Sequence, residues 1–367
     1  MKLYLSFRKN RDFAADLVIL GPFQRVLKVN FVVKDQKTVL ISTGKWIKDL
    51  EIYPYCSLDG VKMKGSFEAA DNYIDLFKSK YGSDHFNRFF KDASRVVVLE
   101  PFEDDPSYDS RILGLIFDQV VEQYYEEISS NWIQRYMRER TSEILEKYAK
   151  DGDKILDLGC GPASEVLEIR KRVVATEVDV SEAALKRSRE MHKGNKDNTE
   201  WVLIRGNGEI SGNFDIIFSS YGYLNLEDPN RVADLLDKNL KEGGYFIGTF
   251  MNRYGFLDML LSLIQNRKKY IRERLSGRLT VNDSRYNILS FPRLPTIFER
   301  FNGMKKRQLR GVCAVIPPYN YEHFVNFGIK VRFLPSIDRI IGRIPILWAG
   351  SDYILFVYQK VGRVRSV

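Results

Sequence analysis

The hydrophobic pattern divides the chain into two regions of different character. The first region mixes short β-branched runs, which predict strands, with one amphipathic stretch, which predicts a helix. The strands are expected at 16–20, 26–33, 38–42 and 96–99, and the helix at 67–90. We therefore predict an α+β accessory domain at residues 1–104, without a recognisable chemical motif. The acidic, proline-containing segment 100–110 is the predicted linker, and residues 105–367 form the second predicted domain.

The second region opens with a helical pattern and then alternates between strands and helices. The helical pattern covers residues 112–150 with a break near 129–131. Strands are then expected at 154–158, 172–178, 201–205, 214–219, 245–250, 306–315 and 353–359, and helices at 164–170, 182–192 and 229–240. Such alternation predicts a parallel sheet with helices on both faces, which binds its ligand beyond the carboxyl ends of the strands.

A glycine turn follows the first of these strands, in the sequence KILDLGCGP at 154–162. Gly159 and Gly161 allow the backbone to approach a ligand and to present N–H groups at the start of the next predicted helix. Asp157 adds a carboxylate, which attracts an ammonium or a sulfonium and repels a pyrophosphate. Because Ser164 replaces the third glycine of the dinucleotide fingerprint, the sequence disfavours a nicotinamide or flavin site.

A second carboxylate, Asp179, ends the next predicted strand and can accept hydrogen bonds from ribose hydroxyls. Simpler roles for both acids stay open at this point. Asp157 can cap the turn after its strand, and Asp179 can be the N-cap of the helix predicted from Glu182. Glu177 lies two residues before Asp179 on the same strand face, so it competes with Asp179 for the ribose.

These motifs resemble those of the class I S-adenosylmethionine-dependent methyltransferases over about residues 111–360. LDLGCGP at 156–162 is similar to the first motif of the family and VDVS at 178–181 to the second. The lead-in FDxxAxxY is matched by Phe117, Asp118 and Tyr124, and the fourth and fifth strands resemble 214–220 and 240–250. In GNGEI at 206–210, Asn207 stands where the family usually has an aspartate that contacts the adenine.

The resemblance implies a Rossmann-like α/β fold with a sheet of parallel strands, a C-terminal antiparallel strand and a helical lid insertion. It implies S-adenosylmethionine as the cofactor and no metal. The lid insertions are expected at about 251–304 and 317–348. The implied cofactor contacts are Tyr124, Asp157, Gly159, Cys160, Gly161, Asp179, Val180, Asn207, Gly208 and Ser220.

The catalytic group and the acceptor are less well defined by the sequence. Transfer of a sulfonium methyl group needs mainly alignment and, for a hydroxyl nucleophile, a base. Tyr221 and Tyr223, after the fourth strand, are weak candidates, and so is His323, for which a packing or surface role is favoured. The (N/D)PP(Y/F) motif of many enzymes that methylate nucleic-acid bases is absent there, so no DNA acceptor is expected. The similar sequence IPPYN at 316–320 follows the fifth strand instead.

The distribution of charge adds a clue to the acceptor. The net charge is +9, but residues 105–250 carry −8 and residues 251–310 carry +10. In the first insertion, one helical face holds apolar side chains and a basic cluster follows; these are Leu257, Leu260, Leu261 and Ile264, then five Arg or Lys residues between Arg267 and Arg274. Three interpretations compete: a lid helix with solvated charges, a surface for an anionic lipid or small acceptor, and an RNA grip in which Tyr270 or Tyr286 stacks on bases.

We therefore expect a cytoplasmic methyltransferase whose acceptor is small or lipid-like, and is either anionic or held at an anionic surface. An RNA methyltransferase and a non-catalytic module that binds S-adenosylmethionine are the alternatives. Three distant cysteines, Cys56, Cys160 and Cys313, support neither a disulfide framework nor a zinc site. No signal peptide is expected from the polar, charge-interrupted residues 1–10, and the longest apolar run, 255–264, is too short to cross a bilayer. Peripheral contact with a membrane stays open.

Overall fold

The computed structural model divides into two compact units, Met1–Ile112 and Leu113–Val367. It describes residues 15–19, 25–35, 37–43, 46–52, 55–58, 61–101, 106–192, 198–204, 210–280, 288–291, 303–318, 321 and 333–361. Within the predicted linker, the chain is a strand up to Pro101 and a helix from Pro106 onwards. The domain boundary at 104/105 stays a prediction, and the contacts divide the chain a few residues later.

The N-terminal unit is built on a seven-stranded antiparallel sheet. Its elements are β1 (Ala15–Ile19), β2 (Arg25–Val29), β3 (Phe31–Lys34), β4 (Lys37–Ile41), α1 (Trp46–Ile52), β5 (Tyr55–Leu58), β6 (Val61–Ala69), α2 (Ile74–Tyr81), α3 (Ser83–Phe89) and β7 (Arg95–Pro101). The sheet order is β2-β1-β5-β6-β7-β4-β3. Strands and helices are both present, as the α+β prediction requires.

Two details of the N-terminal prediction are wrong. The run 26–33 is two strands, which pair with different neighbours and are separated by Asn30. The helix expected from residue 67 begins at Ile74, because residues 61–69 form β6. Met63 and Gly65 are buried while Lys64 and Ser66 are exposed, and this period of two identifies a strand.

The C-terminal unit contains a second seven-stranded sheet with helices between its strands. Its elements are α4 (Pro106–Ser130), α5 (Trp132–Tyr148), β8 (Lys154–Leu158), β9 (Val174–Asp179), α6 (Glu182–Met191), β10 (Thr199–Leu203), β11 (Phe214–Ser219), α7 (Tyr223–Leu226), α8 (Pro229–Asn239), β12 (Leu240–Met251), α9 (Phe256–Ile264), α10 (Lys268–Ser276), β13 (Arg278–Thr280), β14 (Ile288–Ser290), β15 (Met304–Val312), α11 (Leu334–Ile341) and β16 (Tyr353–Lys360). β13 and β14 form a separate two-stranded sheet.

The order of the large sheet is β10-β9-β8-β11-β12-β16-β15. The strands from β10 to β12 pair in parallel, whereas β16 is antiparallel to both β12 and β15. This confirms the predicted Rossmann-like sheet with its antiparallel C-terminal strand. From β8 the chain continues to β9 and β10 on one side of the sheet, and then crosses to β11 and β12 on the other side. The carboxyl ends of β8 and β11 therefore flank a crevice in which such folds bind ligands.

Apolar clusters cover both faces of the large sheet. Alternating residues of the strands, such as Ile155 and Leu156 on β8, belong to different clusters. One cluster includes Ile133 and Leu145 of α5, and the other includes Leu236 of α8. The sheet is therefore the middle of three layers. Among the described helices, none is long and apolar enough to span a membrane.

The predicted helix break near 129–131 is confirmed and has a local cause. Asn131 separates α4 from α5, and its side-chain oxygen accepts hydrogen bonds from the backbone N–H groups of Ile133 and Gln134, at 2.9 and 3.1 Å. This is N-capping, which satisfies two of the backbone donors that the first turn of a helix leaves unpaired.

The helix predicted at 164–170 is wrong. The segment between β8 and β9 consists of turns and bends, and every residue from 162 to 167 is buried. The Ser164 hydroxyl accepts a hydrogen bond from the N–H of Val166, at 3.1 Å, which favours a turn over a helix. The N–H groups of the glycine turn therefore do not lie at the start of a regular helix.

Candidate functional site

The glycine turn connects the end of β8 with the buried segment 162–167. Gly159 and Gly161 have φ angles of 73° and 62°, which only glycine adopts without strain. A Cβ atom added to Gly161 would meet no atom within 4 Å, whereas one added to Gly159 would lie 2.8 Å from the Cβ atom of Tyr223. Gly161 therefore faces open space that a ligand can enter, and Gly159 makes room for the tyrosine.

Asp179 binds the glycine turn to the end of β9. One carboxylate oxygen accepts a hydrogen bond from the N–H of Gly161 at 2.9 Å, and the other accepts from the N–H of Ser181 at 2.8 Å. The N-cap of α6 is Ser181, so the N-cap role considered for Asp179 is wrong. Burial raises the pKa of Asp179, and hydrogen bonds from the backbone, including those from Ser181 and Gly161, lower it. Each carboxylate oxygen of Asp179 keeps a lone pair that can accept a hydrogen bond from a hydroxyl.

Asp157 is buried on β8 with 1% of its surface exposed. One of its oxygens accepts a hydrogen bond from the Ser164 hydroxyl at 2.7 Å. The other oxygen is buried without a hydrogen-bond partner among the described residues. A turn-capping carboxylate would accept a backbone N–H, and Asp157 accepts none there, so its oxygen is available to a ligand with a positive charge or a donor group.

Two further carboxylates surround Asp157, and the sequence analysis gave one of them no role. Glu177 is fully buried on β9, directly across from Asp157, and its carboxylate lies 3.1 Å from the Ser164 hydroxyl. Glu165 is buried in the segment after the glycine turn, 3.7 Å from the guanidinium of Arg138. Burial, and then the charges of Glu177 and Glu165, raise the pKa of Asp157 well above its usual range. The crevice is therefore strongly electronegative.

The residues after β11 complete the wall of the crevice. The Ser220 hydroxyl donates a hydrogen bond to Glu165 at 3.1 Å, which places this predicted contact beside the acidic group. The Tyr223 side chain packs against Gly159, and burial raises the pKa of its phenol. Tyr221 has a φ of 40°, donates its hydroxyl to the carbonyl of Met137 and is therefore held as a packing residue.

The lead-in motif on α4 reaches the same region from another direction. Asp118 accepts hydrogen bonds from the Ser181 hydroxyl and from the N–H of Ala183, at 2.6 and 2.9 Å. It thus connects α4 to the loop that carries Asp179. Tyr124 is half-buried on α4, and its phenol is one of the groups that raise the pKa of Arg138.

Of the remaining predicted residues, two lie within the described part of the chain and three lie outside it. Cys160 is a buried thiol whose pKa is raised well above its usual range by burial and then by the charge of Glu177. Val180 follows Asp179 at the partly exposed end of β9. Asn207, Gly208 and His323 lie outside the described residues.

Sequence reasoning missed the residues that support the site. Ser164 and Glu165 were assigned to a helix, yet both are buried, and together with Ser220 they form a hydrogen-bonded acidic group. A signal was present: in ASEVL, at 163–167, two polar residues stand among apolar ones without a helical period. Asp118 was noted only as part of a motif, and its contact with the start of α6 required the fold.

S-adenosylmethionine fits the chemistry of these residues. The cofactor carries an ammonium and a sulfonium, which suit the buried carboxylates, and a ribose, which suits the oxygens of Asp179. The open space at Gly161 admits a ligand close to the backbone. The sulfonium activates its own methyl group, so the protein has mainly to orient the cofactor and exclude water.

Comparison with family models identifies a methyltransferase domain around this site. A family model described as a methyltransferase domain matches residues 149–294. An uncharacterised protein of Methanocaldococcus jannaschii is 28% identical over 249 residues, which is 66% of this chain and 91% of that protein. The carboxy-S-adenosyl-L-methionine synthase of Campylobacter lari is 23% identical over 238 residues, or 63% of this chain and 98% of that protein. Among solved structures, an S-adenosylmethionine-dependent methyltransferase from Mesorhizobium loti gives a TM-score of 0.43 at 15% identity, covering 60% of this chain and 99% of its own.

The matched domain contains the glycine turn, both motif acids and the strands that hold them. The Rossmann-like sheet with its antiparallel C-terminal strand is the fold that the resemblance implied. Residues 149–294 therefore form a methyltransferase domain, and the family model, the relatives and the fold together support a class I S-adenosylmethionine-dependent methyltransferase.

Proposed function

We propose that the methyl acceptor is a small or lipid-like molecule with an anionic group, and that the enzyme meets it at an anionic membrane surface. On the cofactor side, we propose that Asp179 holds the ribose hydroxyls and that Asp157 faces the cationic methionine end. Gly159, Cys160, Gly161 and Val180 would line the cofactor, with Tyr124 and Ser220 at its methionine end. Asn207 and Gly208 remain the proposed adenine contacts.

One observation carries the proposal for the acceptor: α9 is amphipathic with its polarity inverted. The exposed face of α9 consists of Phe256, Leu260, Leu263 and Ile264, of which Phe256 is 64% and Ile264 73% exposed. The buried face carries Asp258 and Ser262 instead. A face of this kind is unfavourable in water, so it indicates a surface that contacts apolar groups.

The helix of the second insertion repeats the same inversion. Phe333 precedes α11 and lies on one face with Ile337 and Ile340, and all three side chains are exposed. The fully buried polar residue is Asp338, which accepts hydrogen bonds from the Tyr136 hydroxyl and from the backbone N–H groups of Cys313, Ala314 and Val315. The acid thus anchors the helix, and the apolar face is left outside.

The two insertions meet beside these faces. A Cβ atom added to Gly350 would lie 3.7 Å from the Cβ atom of Phe256, so the segment after α11 contacts α9. In that segment Ile346 and Leu347 are also exposed, Ile346 by 85%. We call this set the apolar surface; it comprises Phe256, Leu260, Leu263, Ile264, Phe333, Ile337, Ile340, Ile344, Ile346 and Leu347.

Basic side chains follow the apolar surface in both insertions. Lys268, Lys269 and Arg272 are exposed on α10, and Arg343 is exposed after α11. The predicted cluster of five basic residues needs one correction, because Arg274 is fully buried and ion-paired to Asp258 and Asp352. Apolar side chains next to exposed cations favour an interface with anionic lipid headgroups.

The RNA alternative loses part of its support. Stacking on a base needs an accessible aromatic ring, yet Tyr270 is mostly buried, donates its hydroxyl to Asp258 at 2.6 Å and stacks with Arg267. Tyr286 lies outside the described residues. An apolar surface also offers no hydrogen bonds to phosphates, which supply most of the affinity for RNA.

For the location we propose the cytoplasm. Cys56, Cys160 and Cys313 are buried free thiols, which is typical of a reducing compartment.

Vesicle flotation tests the proposed membrane contact. The native protein should float with vesicles of phosphatidylcholine and phosphatidylglycerol and remain behind with phosphatidylcholine alone. The double variant Phe256→Ser/Ile264→Ser should bind anionic vesicles at least about tenfold more weakly, since each buried apolar side chain contributes about 1.5–3 kcal/mol. Lys268→Glu/Lys269→Glu should weaken binding to the anionic vesicles, and salt should do the same.

Two matched controls separate the surface from general effects. Phe89→Ser replaces another exposed aromatic, in the N-terminal unit, and Lys238→Glu reverses an exposed charge on α8. Both should float like the native protein. Failure of the native protein to bind anionic vesicles would contradict the membrane contact. A native dimer that the double variant converts to monomers would instead assign the apolar surface to a second copy.

A further inference from the structure

Four arginine side chains meet where α5, β15 and α11 come together. We call them the arginine cluster; they are Arg140, Arg310, Arg339 and Arg343. On β15, Gln308 and Arg310 pair with Val357 and Leu355 of β16. Both partners belong to the apolar cluster that includes α5, and paired residues of antiparallel strands share one face of a sheet. Gln308 and Arg310 therefore lie on the face that α5 covers.

A single carboxylate joins the α5 and α11 members of the arginine cluster. Arg140 of α5 is 3% exposed and is ion-paired to Glu143, three residues later. Arg339 of α11 donates to the other oxygen of the Glu143 carboxylate, at 2.6 Å. Glu143 thus holds two guanidinium groups from different helices beside each other.

The end of α11 brings the fourth arginine to the strand. The carbonyl of Gly342 accepts a hydrogen bond from the N–H of Gly311 at 2.8 Å, so Arg343 and Arg310 each stand next to a residue of this pair. Burial, and then the positive charges of Arg343 and Arg140, lower the pKa of the Arg310 guanidinium. The cations of the cluster therefore repel one another at close range.

The charge of the arginine cluster exceeds that of its acidic neighbours. Within the described residues, the ion pairs of the cluster all go to Glu143. Asp338, next to Arg339 in sequence, is fully buried and already accepts hydrogen bonds from the Tyr136 hydroxyl and from three backbone N–H groups. The four positive charges of the cluster therefore outnumber these two negative charges.

Several donors of this group are buried and can still donate a hydrogen bond. Among the described residues, no partner exists for the Nε atoms of Arg140, Arg310 and Arg339 or for the side-chain nitrogen of Gln308. Donors buried in this way cost free energy, which a bound acceptor recovers. Arg343 is exposed and Arg339 is 37% exposed, so the group opens to solvent on one side.

We infer that the arginine cluster is an anion site that binds a phosphate group. Guanidinium groups donate paired, charge-assisted hydrogen bonds to phosphate oxygens, and partial burial strengthens these bonds. Ile340 and Ile344 of the apolar surface are each adjacent in sequence to a member of the cluster, so the phosphate comes from a lipid headgroup or from a soluble phosphate ester. The site goes beyond the proposed function, and only its lipid source rests on the membrane contact.

Thermal unfolding with inorganic phosphate tests the site. The native protein should gain more stability in phosphate than in chloride at equal ionic strength, and the dependence on concentration gives an apparent Kd. Arg310→Gln should weaken this affinity by about tenfold, as expected for the loss of a charge-assisted hydrogen bond. Lys306→Gln is the matched control, because it removes an exposed cation of β15 that pairs with Tyr358, a residue of the opposite apolar cluster. This control should bind phosphate like the native protein.

The stability of the free variant separates binding from a structural role. Without phosphate, Arg310→Gln should melt at or above the temperature of the native protein, because the substitution removes repulsion within the cluster. With saturating phosphate, the order should reverse. A side chain that only holds the fold would lower the melting temperature under both conditions. Arg343→Gln, at an exposed position, should also weaken phosphate binding and does not depend on a buried substitution.

Two soluble probes distinguish the sources of the phosphate, namely glycerol 3-phosphate and dihexanoylphosphatidic acid below its micelle concentration. Tighter binding of the lipid, reduced to the level of glycerol 3-phosphate by Ile340→Ser/Ile344→Ser, assigns a headgroup. Equal binding of the two probes assigns a soluble phosphate ester.

The inference is wrong if phosphate stabilises the native protein no more than chloride does. It is equally wrong if folded Arg310→Gln or folded Arg343→Gln keeps the native affinity for phosphate. Either result leaves vesicle flotation of the native protein unaffected. Loss of flotation with intact phosphate binding would instead overturn only the proposed membrane contact.

Discussion

Folded proteins usually expose charged side chains and bury apolar ones. Two regions of the C-terminal unit differ from this: the cofactor side buries charged side chains, and the apolar surface exposes apolar ones. Around the glycine turn, Asp157, Glu177 and Glu165 are buried, and Arg138 is ion-paired to Glu165. On the two insertions, α9 and α11 expose their apolar faces and bury Asp258 and Asp338. Each arrangement is costly in the isolated protein. We propose that a cationic ligand relieves the first and an apolar partner the second.

A buried ion-pair group at the base of the first insertion shows how this chain treats charge that serves structure alone. Arg274 donates to Asp258, to Asp352 and to the carbonyl of Asn252, so both buried acids are paired. Asp157 has no such partner among the described residues. The difference separates buried acids that hold the fold from those left available to a ligand.

The largest effect is expected where that structural group is broken. Arg274→Met should leave Asp258 and Asp352 buried without a partner and reduce the free energy of unfolding by about 3–5 kcal/mol. Urea denaturation measures this loss. Adding Asp258→Asn and Asp352→Asn should recover most of it, and Lys269→Met, at an exposed position, serves as the control. A native-like midpoint for Arg274→Met would remove the distinction between the two kinds of buried acid.

The next effect concerns the cofactor. Asp179→Ala should weaken binding of S-adenosylmethionine by about 1–3 kcal/mol, because it removes a charged hydrogen-bond acceptor and the connection to Gly161. Calorimetry measures the affinity, with Asp237→Ala on α8 as an exposed control. Unchanged affinity would reassign the ribose to another group, and Glu177 is the nearest acid along β9.

A pH effect should distinguish the buried acids from ordinary surface carboxylates. The folded-state pKa values of Asp157 and Glu165 are raised above their usual values, so these groups favour the fold below about pH 4 and lose that contribution as pH rises. Glu177→Gln removes an acid beside Asp157, so the variant should lose less stability than the native protein as pH rises. The stability gain of this variant over the native protein should therefore grow between about pH 5 and pH 8, and a gain that shrinks would contradict the raised pKa of Asp157.

The smallest effect on stability is expected at the apolar surface. Phe256→Ser/Ile264→Ser should change the free energy of unfolding by less than about 0.5 kcal/mol per site, since both side chains are largely exposed. The same variant should lose binding to anionic vesicles. A large loss of stability would show that these side chains pack within the protein, which would leave the surface without its proposed partner.

The sequence predicted the parts of the molecule that follow from local patterns. The parallel sheet and the glycine turn could be expected, because strands that alternate with helices form few topologies and because LDLGCG has a recognisable spacing. The inverted helices could not be expected. Leu257, Leu260, Leu261 and Ile264 were predicted as one apolar face, yet Leu260 and Ile264 are exposed while Asp258 is buried by its ion pair with Arg274, sixteen positions along the chain. Such a pairing depends on tertiary contacts and leaves no periodic signal.

The acidic group of the site was hidden for the same reason. Asp157 and Glu177 become neighbours only through the register of β8 and β9, and Glu165 joins them through a turn that the sequence presented as a helix. Polar residues at buried positions are set by partners that are distant in sequence.

The most direct test of the account is to follow the methyl group. The purified enzyme is incubated with S-adenosylmethionine labelled in its methyl group and an extract of its own cells, and the label is then measured in lipid, small-molecule and RNA fractions. The account predicts label in an anionic amphiphile of the lipid or small-molecule fraction, and a clear reduction with Phe256→Ser/Ile264→Ser. Label confined to RNA, and unaffected by that variant, would contradict it.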